Sequence, residues 1–153
     1  MKYSVIDTHC HVQFPQYDHD RAEVIRRALD AGIGMICVGT DLEMSRRAVE
    51  LADRYEGIWA SVGLHPNDNL TEHYNQSLYR DLTAHPKVIA IGEIGLDYYR
   101  TTEPHLREIQ KERFKEQLSL SDKPLIIHCR DAHDDMIEIL HATHMRGVIH
   151  SFT

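Results

Sequence analysis

Imidazoles and one carboxylate close a series of apolar runs along this chain. Ser4-Val-Ile-Asp-Thr-His9-Cys-His11 ends in two histidines, and Trp59-Ala-Ser-Val-Gly-Leu-His65-Pro66 in one. Glu93 lies in Val88-Ile-Ala-Ile-Gly-Glu93-Ile-Gly95, His128 in Leu125-Ile-Ile-His128-Cys-Arg130, and His150 in Val148-Ile-His150-Ser-Phe-Thr153. Neutral imidazole is a common ligand for borderline divalent ions. A carboxylate in an apolar run is costly unless a cation compensates it. The chemistry these types offer together is divalent-metal binding, with His9, His11, Glu93, His128 and His150 as the candidate ligands.

Each position also has a blander reading. In a strand, residues two apart share a side, so His9, His11 and Asp7 face one way. Asp7 could orient an imidazole from behind, or satisfy a nearby backbone donor. Glu93, set between Gly92 and Gly95, could instead pair with Arg100 or Arg130. His65, just before Pro66, could be a ligand, a phosphate contact or a turn residue, with a substrate contact preferred. Arg130 could clamp a phosphate bidentately, or pair with Asp131 or Asp134. A single histidine after an apolar run is more often a satisfied core residue than a ligand. Five ligand-type groups at four strand ends are harder to explain that way. The other histidines fall on loops or helices, and His141 and His144 read as a solvated helix face.

Strand ends can converge such groups on one point only if the strands are parallel, and the chain alternates accordingly. A helix over Asp20 to Ala31 carries Val24, Ile25, Ala28 and Leu29 on one face, with Gly32 as its stop. Ile33 to Gly39 is a buried strand, and Asp41 to Tyr55 a helix with Asp41 as its cap. The third strand ends at His65, a short helix covers Gln76 to Ala84, and the fourth strand ends at Glu93. Glu103 to Leu120 is the longest helix, with Leu106, Ile109, Phe114 and Leu118 inward. Pro124 opens the fifth strand, Asp134 to His144 is a helix, and Gly147 opens a sixth strand. Six strands and five helices in alternation predict a parallel α/β sheet of TIM-barrel type with its site at the C-terminal mouth. A (β/α)8 barrel needs about 250 residues. The expectation is therefore a single domain over 1–153, incomplete by about two strand–helix units, with an unpaired apolar edge at the sixth strand.

Composition narrows the class. A formal charge of −7 argues against the broad basic surface that grips nucleic acid nonspecifically. It leaves room for a phosphate substrate, because bound cations would supply positive charge locally. No apolar run is long enough to span a bilayer, and the N-terminus lacks a secretory layout. Cys10, Cys37 and Cys129 have no paired spacing, so the expectation is reduced thiols and a cytoplasmic location.

Ile6-Asp-Thr-His-Cys-His11, Gly63-Leu-His-Pro66, Ile91-Gly-Glu-Ile-Gly-Leu-Asp-Tyr-Tyr99, Ile126-Ile-His-Cys-Arg-Asp-Ala132 and His150-Ser-Phe152 together resemble the TatD family of metal-dependent deoxyribonucleases, within the amidohydrolase-like TIM barrels. The resemblance implies one metal on His9 and His11, a second on His128 and His150, and Glu93 bridging. It implies two divalent ions (Mg, Mn or Zn), roughly 3.5–4 Å apart, that activate a water against a DNA phosphodiester. Catalytic roles fall to Glu93, His65 and Arg130, with His65 and Arg130 also holding substrate phosphate. The implied activity is a 3′ to 5′ exonuclease on single-stranded DNA. Superfamily relatives with hydantoinase-type or phosphotriesterase-type chemistry bridge their metals with a modified lysine, and Glu93 argues against that group. The family also uses an aspartate from a later strand as ligand and base, a role no residue of this chain takes. The competing expectation is a catalytically inert, truncated barrel that binds metal or phosphate, or pairs with another chain through its open edge.

Overall fold

Branched apolar runs form strands, amphipathic runs form helices, and the two alternate through residues 3–68, 70 and 73–152, which the computed structural model describes. In order they are β1 (Val5–Cys10), α1 (Arg21–Asp30), β2 (Ile33–Val38), α2 (Leu42–Arg54), β3 (Ile58–Val62), α3 (Gln76–Thr83), β4 (Val88–Asp97), α4 (Pro104–Leu118), β5 (Leu125–Arg130), α5 (His133–His141) and β6 (Gly147–His150). A 3₁₀ turn, Pro15–Tyr17, precedes α1. Thr153, in the last run read from the sequence, lies outside the described residues. The Asp41 side chain accepts the Met44 N–H at 2.6 Å, the cap expected for α2. Gly32, at φ +74°, ends α1 in a conformation that other residues adopt poorly.

All six strands are parallel and lie in sequence order, β1 to β6. Neighbouring strands sit about 4.8 Å apart, so a flat sheet would separate its two edges by roughly 24 Å. Yet the rings of His9 and His150, from β1 and β6, lie 4.1 Å apart. The sheet is therefore curled into an open barrel wall, with the strands' C-terminal ends forming its mouth. On its outer face, Met35, Cys37, Ala60, Ile91, Ile94 and Ile127 pack with helix residues such as Ile25, Ala48, Phe114 and Met136. Ile36, Val38, Ala90 and Ile126 form a smaller cluster of their own, joined by Trp59. Alternation along β2 thus sends consecutive side chains to different clusters.

Two features depart from the sequence reading. β4 continues past Glu93 to Asp97, which adds a second carboxylate to the mouth. The fully buried stripe of α4 is Gln110, Phe114 and Gln117, while Leu106, Ile109 and Leu118 are only half-buried. A reading by apolar periodicity assigns those glutamines to solvent. Here their amides are taken up by buried backbone groups at the strand ends. The apolar edge expected at β6 is present, with Val148 and Ile149 exposed, and β1 presents a matching one through Val5 and Ile6.

Candidate metal centre

Glu93 is only 4% exposed and is faced by five imidazoles from the ends of four other strands, β1, β3, β5 and β6. Its Oε1 receives His128 Nδ1 at 2.8 Å and His150 Nε2 at 2.5 Å, with His65 Nε2 at 3.5 Å. Its Oε2 lies 3.3 Å from His9 Nε2 and 3.9 Å from His11 Nε2. Among the described residues no lysine or arginine pairs with this carboxylate, so the salt bridge with Arg100 or Arg130 is absent. Burial alone would raise the Glu93 pKa, but hydrogen bonds from His128, His150, His65 and His9 outweigh it and hold the carboxyl well below the usual range. A buried anion ringed by nitrogen donors is a place built for positive charge.

Strand register explains the convergence. His128 and His150 are direct partners across β5 and β6, and Gly95 is the β4 partner of His128. A Cβ on Gly95 would sit 2.1 Å from the His128 carbonyl oxygen, at a φ of +140°. Only glycine lets β4 approach β5 this closely. Beyond it, Glu93, Gly95 and Asp97 share one face of β4 by their spacing of two. Asp97 was not singled out from the sequence, although that spacing could have revealed it. It is 1% exposed, and its Oδ2 meets His128 Nε2 at 3.1 Å and the Asn67 amide at 3.0 Å. Burial opposes its ionisation, but the Arg100 N–H, Asn67 and His128 lower its pKa.

The hydrogen bonds behind each ring sort the histidines by role. His11 Nδ1 lies 2.9 Å from the Val38 carbonyl and must donate to it, which leaves Nε2 as a lone pair facing Glu93. Burial, then the charge on His9, lowers its pKa and keeps it neutral. That is the arrangement a metal-ligating histidine needs. His128 has a carboxylate at each nitrogen, Glu93 on one side and Asp97 on the other. Although burial works against its charge, these two carboxylates raise its pKa. His65 is set the opposite way from His11. Its Nδ1 accepts the Asn67 N–H at 3.2 Å, so its Nε2 carries the proton and acts as a donor. Donor atoms alone group tightly as His9, Glu93 and His150, and as His65, Glu93 and His128.

The remaining sequence candidates are placed differently. Asp7 accepts the backbone N–H of His9 at 3.0 Å, the backbone-satisfying alternative for that residue. Arg130 stacks its guanidinium 3.8 Å from the Tyr99 ring centroid. Arg100 instead lines a cleft of about 640 Å³ that opens onto His11, His65 and Glu93. Two buried glutamines of α4 hold the strand ends that carry the site. Gln117 accepts the Leu64 N–H at 2.7 Å and donates to the Leu64 carbonyl at 3.0 Å, next to His65. Gln110 accepts the Asp97 N–H at 2.9 Å and donates to Thr101 Oγ1 at 2.9 Å.

Comparison with known proteins gives a consistent answer. The family model described as TatD related DNase matches residues 6–153. An uncharacterized metal-dependent hydrolase, YabD, of Bacillus subtilis is 40% identical over 97% of this chain and 61% of its own length. The 3'-5' ssDNA/RNA exonuclease TatD of Cronobacter turicensis is 40% identical over 89% of this chain and 53% of its own. The crystal structure of YjjV, a TatD homologue from Escherichia coli, superposes with a TM-score of 0.87 at 34% identity, covering all of this chain and 62% of that one. The chain thus spans little more than half the length of the curated relatives it matches.

Proposed function

This chain belongs to the TatD-related DNase family, and on that premise we propose that it forms the cation-binding wall of a hydrolase acting on phosphodiester bonds of single-stranded nucleic acid, from the 3′ end. The observation that carries this reading is one buried carboxylate among five imidazoles, with no lysine or arginine paired to it among the described residues. Such a donor set fits divalent cations, and four imidazoles to one carboxylate favour Zn²⁺ or Mn²⁺ over Mg²⁺. We assign His9 and His11 to one ion and His128 and His150 to a second, with Glu93 shared. When bound, the ions supply charge stabilisation to the phosphate and an acidified water.

The chain's own residues do the rest. The Val38 carbonyl and Asp97 fix the His11 and His128 rings so that each offers the remaining nitrogen inward. His65, whose Nε2 carries the proton, is suited to donate to a phosphoryl oxygen and unsuited to bind a cation through that atom. The test is Mg²⁺-, Mn²⁺- or Zn²⁺-dependent release of nucleotides from end-labelled single-stranded DNA by this chain. Release abolished by Glu93→Gln is the expected result. Undiminished release by that variant, or none by the folded and metal-loaded chain, would overturn the proposal.

A further inference from the structure

The cleft beside the metal centre holds an aromatic ring that neither the cations nor the core requires. Phe14 is half-buried, lines the cleft with Arg100, His65 and Glu93, and is absent from both buried apolar clusters. One face of its ring stacks on His11, at 4.6 Å between centroids and 28° between planes.

Its backbone is held unusually firmly for a loop residue. The Phe14 N–H donates to the His11 carbonyl at 3.0 Å, and its own carbonyl accepts from Tyr17 at 3.0 Å and from Arg21 Nη2 at 2.8 Å. The same Arg21 side chain binds the Val12 and Gln13 carbonyls, and buried Gln13 donates to Val38. Pro15 restricts Phe14 to the extended conformation it shows, φ −66° and ψ 151°. A fixed, flat apolar ring next to a phosphate-binding centre is what a nucleobase needs for stacking.

Resting on the function proposed above, we infer that Phe14 is a stacking platform for the nucleobase adjoining the bound phosphodiester, with Arg100 holding a neighbouring phosphate. Every base has a π-face, so this subsite favours single strands, whose bases are free to stack, without selecting sequence. An aliphatic residue at position 14 could still support His11 but could not stack a base.

The test measures binding rather than cleavage. Fluorescence anisotropy in Mn²⁺ compares a phosphorothioate-linked oligothymidylate with an abasic strand carrying the same number of phosphates. The wild-type chain is expected to prefer the base-bearing strand by about 5- to 150-fold. Phe14→Leu should remove that preference while leaving abasic-strand binding unchanged, and Phe14→Trp should keep it. Equal binding of both strands by the wild-type chain overturns the platform and leaves phosphodiester hydrolysis standing. Equal weakening of both strands by Phe14→Leu also overturns it, since that is the signature of a residue that only positions His11. Binding of neither strand overturns the platform together with the reading on which it rests.

Discussion

Glu93 is the residue on which the centre turns, because its two oxygens face different imidazoles: Oε1 faces His65, His128 and His150, and Oε2 faces His9 and His11. If it is shared between two ions, its loss removes a ligand from both, whereas loss of His9 removes a ligand from one. Titration with Mn²⁺ should therefore show Glu93→Gln weakening both binding events, and His9→Ala weakening one while largely sparing the other. Equal losses in the two variants would contradict the shared role. The histidines themselves were legible as candidates because each closes an apolar run. Their individual roles were not, since the Val38 carbonyl behind His11, the Asn67 N–H on His65 and Asp97 on His128 belong to other segments.

Elements hold these residues through buried polar contacts that apolar periodicity does not reveal. Gln117 of α4 satisfies both backbone groups of Leu64, one residue before His65. Truncation to alanine strands a buried N–H and carbonyl, so Gln117→Ala should destabilise the chain by about 1–3 kcal/mol or more, seen as a shift in the urea midpoint. A fall in stability of only a few tenths would mean that water replaces the amide. The hydroxyl of Tyr98, just past β4, donates to Asp135 of α5 at 2.5 Å, and Lys111 of α4 lies 3.3 Å from the same carboxylate. Chiefly through the Tyr98 hydrogen bond, with Lys111 also contributing, the Asp135 pKa is lowered. A lowered carboxylate pKa contributes stability that is present above the unfolded value, about 3.9, and is lost as pH falls through the folded value. Tyr98→Phe should thus cost about 1 kcal/mol at neutral pH, and the gap to wild type should shrink in unfolding experiments carried out below about pH 4. A gap that persists in acid would show that the hydroxyl acts through packing alone.

At the scale of the molecule, the curled sheet brings β1 and β6 together at the mouth while leaving both as edge strands. Val5 and Val148 are 57% and 52% exposed, and Phe152 is 56% exposed. Apolar strands with open edges pair readily with another chain. Sedimentation of the 153-residue chain should therefore show self-association, reduced by Val148→Lys, which places a charge on the β6 edge. A monodisperse monomer at all concentrations would overturn this expectation. The six-stranded wall superposes on 62% of YjjV, in keeping with the incomplete barrel expected from six strands in 153 residues.

The sequence by itself determined the parallel α/β alternation, the ligand types and their places at strand ends, and the family that those motifs resemble. These follow from local rules: branched apolar runs form strands, spacing of two fixes a face, and glycine or aspartate punctuates the helices. Tertiary structure alone decided what depends on contacts between distant segments. The curl of the sheet sets His9 against His150, and register sets His128 between Glu93 and Asp97. Docking of α4 turns Gln110 and Gln117 into buried anchors, and the loop held by Arg21 lays Phe14 on His11. In each case the partner lies many residues away or around a turn whose path the sequence pattern does not specify, so only the folded chain brings the two together.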